Sequence, residues 1–445
     1  MSRNSTSRRN QTGTKPNRPS WVPIAIIFAA VLLIGAIVAK ILIPAPTKVN
    51  VGPSICNTSR PVAPKLPSSA CIILDNSDSM RGYAQSISFA NILSDIKGIY
   101  TNTSLRLTDG STVEGDWIAK LRTGKVNFVS HSQIDADIKM AVQFAVKEKE
   151  NPLAILVTDG IMSGSNDQIR ADADYNLTHA SELRNKVTAA LSSVGKKEVG
   201  VAVYEYMVSF TGTYYCFNNA HGTIASQLRR FYAVAIGAPD AIAQFNGRIH
   251  ALKGDSRPRN AWLAIDRLPL GGGVTLANDA VDFEPVSKDT PVFFVDRDKW
   301  ATCHNPLIVK LDVERLLSNQ IVRPEGLLKA VAINCSVDDT KVGVSPELKG
   351  TQLVIEVPDE LIPRNKDNDV VIRLTMDFKD DKLPEWVMLA TTTNDSSMLK
   401  SPNSQTFLFN QLMEGISAGM TERTGIHLYS ENILICDKSK KTQTN

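Results

Sequence analysis

Ala70-Cys71-Ile72-Ile73-Leu74-Asp75-Asn76-Ser77-Asp78-Ser79 is the stretch from which the rest of the chain is read. Its apolar half has the length and unbroken hydrophobicity of a strand buried on both faces. Its polar half therefore begins where a buried strand gives way to a loop. A second apolar run, Leu153-Ala154-Ile155-Leu156-Val157, ends the same way, in Thr158-Asp159-Gly160. In open α/β sheets the carboxyl edge of the strands is where ligands bind. Two aspartates released at that edge predict one shared site.

The flanking pattern agrees. Phe89, Leu93, Ile96 and Tyr100 recur at roughly helical spacing, as do Ile134, Ile138, Ala141, Val142 and Ala145. Leu183, Val187, Ala190, Leu191 and Val194 mark a third helix, and Pro239-Asp240 opens a short fourth. Between them lie strands near 105–107 and 126–129, a long one from about Val199 through Phe210, and another at 230–237. Strand and helix in alternation predict an α/β domain over residues 69–250, a doubly wound, mostly parallel sheet. Phe210-Thr211-Gly212-Thr213-Tyr214-Tyr215-Cys216-Phe217 follows the long strand. It reads first as a hairpin packing its own aromatics and second as a partner-binding edge.

After about 250 the period changes to two. Leu307, Val309 and Leu311 alternate, as do Leu353, Ile355 and Val357, and Val370 through Phe378 gives the clearest case. Residues 251–445 are expected to form a β-rich, sandwich-like domain with one late helix at 406–419, where Phe409, Leu412, Met413 and Ile416 share a face.

The N-terminal region is organised differently. Residues 1–20 hold Arg3, Arg8, Arg9, Lys15 and Arg18 and no acid, and read as a basic disordered tail. Trp21 to Ala39 is uncharged, and Ile41-Leu42-Ile43 extends it past Lys40. Residues 21–43 are expected to form a transmembrane helix, with Lys40 reaching the headgroups. A cleaved signal peptide is the lesser alternative, since the apolar region is long and no small-x-small cleavage site follows. Basic residues ahead of the helix place the N-terminus in the cytoplasm and the main domains outside, periplasmic or extracellular. Residues 44–68 carry six prolines and read as an extended linker.

The net charge of +3 is set by that tail; without its five basic residues the remainder carries −2. Nothing in that balance argues for nucleic-acid binding. The six cysteines show no CxxC spacing, so a zinc site is not expected. Cys71, inside a core strand, is expected to be a buried thiol. The N-x-S/T triplets at Asn57, Asn102, Asn176, Asn334 and Asn394 are cheap by chance and carry weight only in a glycosylating host.

Asp-x-Ser-x-Ser after a strand, a hydroxyl at the head of a helix, and Thr-Asp-Gly after another strand resemble a von Willebrand factor type A domain. The motif it resembles is that family's metal-ion-dependent adhesion site. The resemblance covers residues 69–250. It implies a divalent cation, normally Mg2+ (Mn2+ or Ca2+ otherwise), held by Asp75, Ser77, Ser79, Ser132 and Asp159. Ser132 precedes Ile134 at the family's spacing, and Ser130 is the competing second-loop hydroxyl. The chain departs from the family at Asp78, where glycine is usual. That extra carboxylate would raise cation affinity, repel an acidic partner or face solvent, and the last is favoured.

The chemistry stands without the family name. Magnesium takes oxygen ligands in near-octahedral geometry and keeps several waters. Two carboxylates and neutral hydroxyls would hold it without saturating its charge, leaving it able to accept a carboxylate from a partner protein. The expected function is thus cation-dependent protein binding, in adhesion or envelope-complex assembly, and not catalysis. A bland alternative makes Asp75 and Asp159 mere helix caps. Two others are a metal-assisted hydrolase with Asp78 as base, and a metal-free structural platform. Competing motifs fail. Ser77 stands where a haloacid-dehalogenase phosphatase needs aspartate. Gly160–Gly164 has the wrong spacing for a nucleophile elbow. Gly110 and Gly115 lack the Lys-Ser/Thr of a phosphate loop. Gly271–Gly273 reads as a turn. The six histidines form no ligand pair, and Cys303-His304 alone is more often structural.

Overall fold

The computed structural model describes residues 69–128, 133–147, 153–161, 175–193, 199–216, 221–265, 273–287, 290–321, 326–364, 369–378, 382–394, 399, 404–424 and 429–438. The expected tail, transmembrane helix and linker (residues 1–68) lie outside them. Among the described residues no helix is long and apolar enough to cross a membrane.

The first sheet has seven strands: β1 (Ser69–Leu74), β2 (Asn102–Leu107), β3 (Thr112–Val113), β4 (Leu153–Thr158), β5 (Gly200–Tyr215), β6 (His221–Gly237) and β7 (Asn260–Ala264). Their order is β3-β2-β1-β4-β6-β5-β7. The two apolar runs lie side by side at its centre, parallel, with Leu74 opposite Val157. Every residue of β4, and all of β1 after Ser69, is buried. Each fully buried Ile or Leu contributes about 1.5–3 kcal/mol.

Side chains alternate between two helical layers. Ile72 and Leu74 pack with Phe89, Ile92 and Ile96 of α1 (Ile87–Gly98), Trp117 of α2 (Trp117–Arg122), and residues of a later helix described below. Cys71 and Ile73 face Ile134, Ile138 and Val142 of α3 (Ile134–Lys147) and Leu183, Val187 and Leu191 of α4 (Tyr175–Ser192). α5 (Pro239–His250) joins the first layer through Ile242, Phe245 and Ile249.

The chain is mixed α/β as expected, but the sheet is not mostly parallel. Only the β2–β1 and β1–β4 pairs are parallel. β6 is antiparallel to β4, and both β6 and β7 are antiparallel to β5. The cause is the long β5–β6 hairpin. β5 leaves α4 parallel to β4, and β6 returns between them. A hairpin return needs only a short connection, whereas a parallel neighbour needs a crossover.

From β8 (Val274–Ala277) the chain is β-rich: β9 (Glu284–Ser287), β10 (Thr290–Val295), β11 (Leu307–Asp312), β12 (Val331–Val337), β13 (Thr340–Val342), β14 (Pro346–Lys349), β15 (Gln352–Val357) and β16 (Val370–Phe378) follow. With β17 (Tyr429–Asp437) they form a six-stranded sheet, β13-β12-β16-β17-β10-β9, and a four-stranded one, β14-β15-β11-β8. The alternating residues Val309, Leu311, Leu353, Ile355, Ile372 and Leu374 are buried, as the period-two pattern predicts.

The late helix, α6 (Phe409–Thr424), packs elsewhere. Leu412, Met413, Ile416 and Met420 join Val187 and Leu191 of α4 on the first sheet's second face. The approach is close because glycines line it. A Cβ on Gly415 would lie 2.8 Å from the Arg184 carbonyl oxygen, and one on Gly419 2.8 Å from Leu191 Cβ.

Candidate metal site

The parallel pairing of β1 with β4 carries Asp75 and Asp159 to the same edge of the sheet. Asp75 N–H donates to the Val157 carbonyl at 2.9 Å, so the first loop leaves the sheet in register with the third. Asp75 then anchors both loops. Its Oδ1 accepts from Ser77 N–H at 2.9 Å and its Oδ2 from Thr158 Oγ1 at 2.8 Å. Thr158 Oγ1 in turn accepts from Gly160 N–H at 3.0 Å. Gly160 has φ +73, a left-handed turn that favours glycine. Ser77 Oγ and Ser79 Oγ lie 2.9 Å apart.

Asp159 is the least satisfied member. Its Oδ1 accepts from Ile161 N–H at 3.1 Å. Its Oδ2 is buried and finds no hydrogen-bond donor among the described residues. Burial first, and the neighbouring Asp75 charge second, push its pKa up to about 7; the Ser79 hydroxyl, Ile161 N–H and Arg229 pull the other way. Two buried carboxylates are thus packed together with one oxygen left over.

Four of the five expected ligands, Asp75, Ser77, Ser79 and Asp159, are brought to one sheet edge. The fifth, Ser132, and its competitor Ser130 lie outside the described residues. The second loop approaches the right place: Asn127 accepts through its carbonyl from Asn76 Nδ2 at 3.1 Å. Asn76 also donates from Nδ2 to Asp109 at 3.1 Å and accepts from Thr108 Oγ1 at 2.9 Å. It is the strut between the loops after β1 and β2.

The donor set fits a hard cation. It offers carboxylate and hydroxyl oxygens, one of them orphaned, which is the ligand chemistry magnesium takes. Among the described residues no group of three or more His, Cys, Asp or Glu is placed to hold a metal. With two carboxylates, a cation here would rely on the hydroxyls and water for its remaining ligands.

The residues missed in the sequence are Thr158 and Arg229. Thr158 was visible only as the residue before Asp159. Arg229 is buried and sits 3.8 Å over the Tyr214 ring, close enough to act on Asp159. No local pattern marks it, because it arrives on the far strand of the hairpin. Phe210 and Tyr214 are buried, with Tyr83 edge-on to Phe210 at 4.9 Å. Phe210 and Tyr214 therefore pack within the fold, Tyr215 is half-buried, and Phe217 lies outside the described residues. Cys71, Cys216, Cys303, Cys335 and Cys436 are all buried, as expected for Cys71.

Comparison of the chain with protein-family models, with curated proteins and with solved structures finds no match.

Proposed function

We propose that this chain is a von Willebrand factor A-like protein, anchored by residues 21–43, that binds a partner protein through a divalent cation. One observation carries the reading. Asp159 is buried against Asp75 with an orphaned oxygen, an arrangement that is costly for the bare protein and relieved by a cation. Asp75, Ser77, Ser79 and Asp159, with Ser132, would hold the ion. Magnesium supplies an electrophilic centre that accepts a carboxylate oxygen. The chain's own residues orient the loops, keep water from the carboxylates and hold both ionised once the ion is present.

The hydrolase alternative gains no support, since Asp78, its candidate base, is paired to Arg81. The test is calorimetric titration of the full chain with magnesium. Wild type is expected to bind one ion, and Asp75→Ala and Asp159→Ala to lose at least tenfold in affinity. Unchanged binding in either variant removes that residue from the site, and no binding by wild type removes the reading.

A further inference from the structure

Arg229 brings a positive charge close to the two aspartates. β6 pairs with β4 as far as Thr158 and Tyr232, then runs on past the end of β4, still paired with β5, where Arg229 stands opposite Val208. Asp159, one residue beyond Thr158, therefore leaves the sheet abreast of Phe231. Side chains two apart on a strand share a face, so Arg229 follows Phe231 on the face that buries Ala233, the same side as Val157 of β4. Arg229 is 2% exposed, and its guanidinium carbon lies 3.8 Å from the centre of the Tyr214 ring and 6.0 Å from that of Phe210. Phe210 meets Tyr83, just after the first loop, and the Tyr83 hydroxyl donates to the Arg230 carbonyl at 2.5 Å. The charges agree with this placement. Burial raises the Tyr83 pKa, and Asp159 and Arg229 act on the same hydroxyl with opposite signs.

We infer, resting on the cation reading above, that Arg229 decides what the bound ion accepts: it loosens the hold on the cation and makes an anion, rather than a neutral group, the ligand that completes the shell. Guanidinium keeps its charge at any pH a folded protein meets. Whatever else it donates to, that charge is buried, where Coulomb interactions are several times stronger than in water. Toward a divalent cation it is repulsive, so it cancels part of the attraction from Asp75 and Asp159. Toward a carboxylate arriving at the ion it is attractive, so the loaded site prefers an acid to its neutral isostere. Arg229 does not neutralise Asp159 by direct contact, since Asp159 Oδ2 finds no hydrogen-bond donor among the described residues. The face of the Tyr214 ring holds the guanidinium instead, an arrangement favoured for a desolvated cation. The charge is thus kept near the ion without closing its site.

The test uses the full chain in detergent, magnesium titrated by calorimetry, and a short Gly/Ser peptide carrying one Asp, with a twin carrying Asn in its place. In magnesium, wild type is expected to bind the acidic peptide about tenfold or more tighter than the twin. Arg229→Gln is expected to bind magnesium about threefold or more tighter than wild type, and to cut the peptide ratio to about three or less. The two changes run in opposite directions, whereas replacing a residue that only packs would weaken both. Arg229→Lys keeps the charge and should return both toward wild type. Arg229→Met, which keeps the stem against Tyr214, is the second neutral variant. Magnesium binding that tightens in neither neutral variant, or a peptide ratio that survives both, overturns the inference. A wild-type ratio near one overturns it with no variant needed. Magnesium titration of wild type without peptide separates the two failures. If wild type binds magnesium and these expectations fail, only the role of Arg229 falls. If wild type does not bind magnesium, the cation reading falls, and the role of Arg229 with it.

Discussion

Thr158 Oγ1 donates to Asp75 Oδ2 at 2.8 Å, from the end of one central strand to the end of its neighbour. The same oxygen accepts from Gly160 N–H. Thr158→Val keeps the shape and removes both bonds. It takes one hydrogen bond from a buried carboxylate and leaves the Gly160 N–H without its acceptor, losses of about 1–3 kcal/mol for such groups. Urea unfolding is expected to show a loss of about 2 kcal/mol or more. A loss under about 0.5 kcal/mol would mean the loops are held by something else.

Asp159 makes the stability of the metal-free chain depend on pH. Its folded pKa is raised from 3.8 to about 7. The folded state then binds more protons at this group than the unfolded one between those values, so the contribution of Asp159 to stability is full below about pH 4 and is lost as pH rises toward 7. Thermal melts in chelator are expected to drop across that window in wild type and to stay flatter in Asp159→Asn. Magnesium holds the carboxylate ionised, so it should raise Tm more at pH 7.5 than at pH 5. An equal rise at both values would argue that the ion binds elsewhere.

The central strands and their terminal aspartates were legible because they are local. An apolar run ending in a carboxylate needs no knowledge of its neighbours. The helical faces of α1, α3 and α4 were legible for the same reason. What was hidden is pairing. Alternation along Val201 to Phe210 marks a strand and does not say that β6 inserts between β5 and β4. The place of α6 was hidden too, since the Phe409, Leu412 and Ile416 stripe names a buried face but not what buries it. Asp78 was read as a solvent-facing residue. It is partly exposed and ion-paired, a contact that Arg81, three residues on, could have suggested.

Gly82 couples the first loop to the hairpin. A Cβ there would lie 2.3 Å from the Phe210 ring, which has no room to move because it is fully buried. Gly82→Ala is expected to cost about 1–3 kcal/mol through overpacking. In a Phe210→Leu background the added cost should shrink, and a double-mutant cycle by urea unfolding measures the difference. Additive effects would show that the ring is not what excludes the methyl.

The packing of α6 on α4 reaches the candidate site through one further contact. Leu412 lies against Gly160, with its Cδ2 3.5 Å from where a Cβ on Gly160 would stand, and Gly160 follows Asp159. A Cβ on Gly415 would meet the Arg184 carbonyl oxygen at 2.8 Å and Val187 Cβ at 2.9 Å, both on α4. Backbone and a β-branched side chain cannot give way, so α6 must move. Alanine in place of glycine gains about 1 kcal/mol of helix propensity, against about 1–3 kcal/mol of overpacking. Gly415→Ala is therefore expected to lower Tm on balance. By shifting Leu412 off Gly160, it should also weaken magnesium binding in calorimetry. Gly98→Ala is the control, since a Cβ there meets nothing within 4 Å. It should leave Tm equal or higher. A Gly415→Ala chain that melts lower but binds magnesium as tightly as wild type would confine α6 to a structural role.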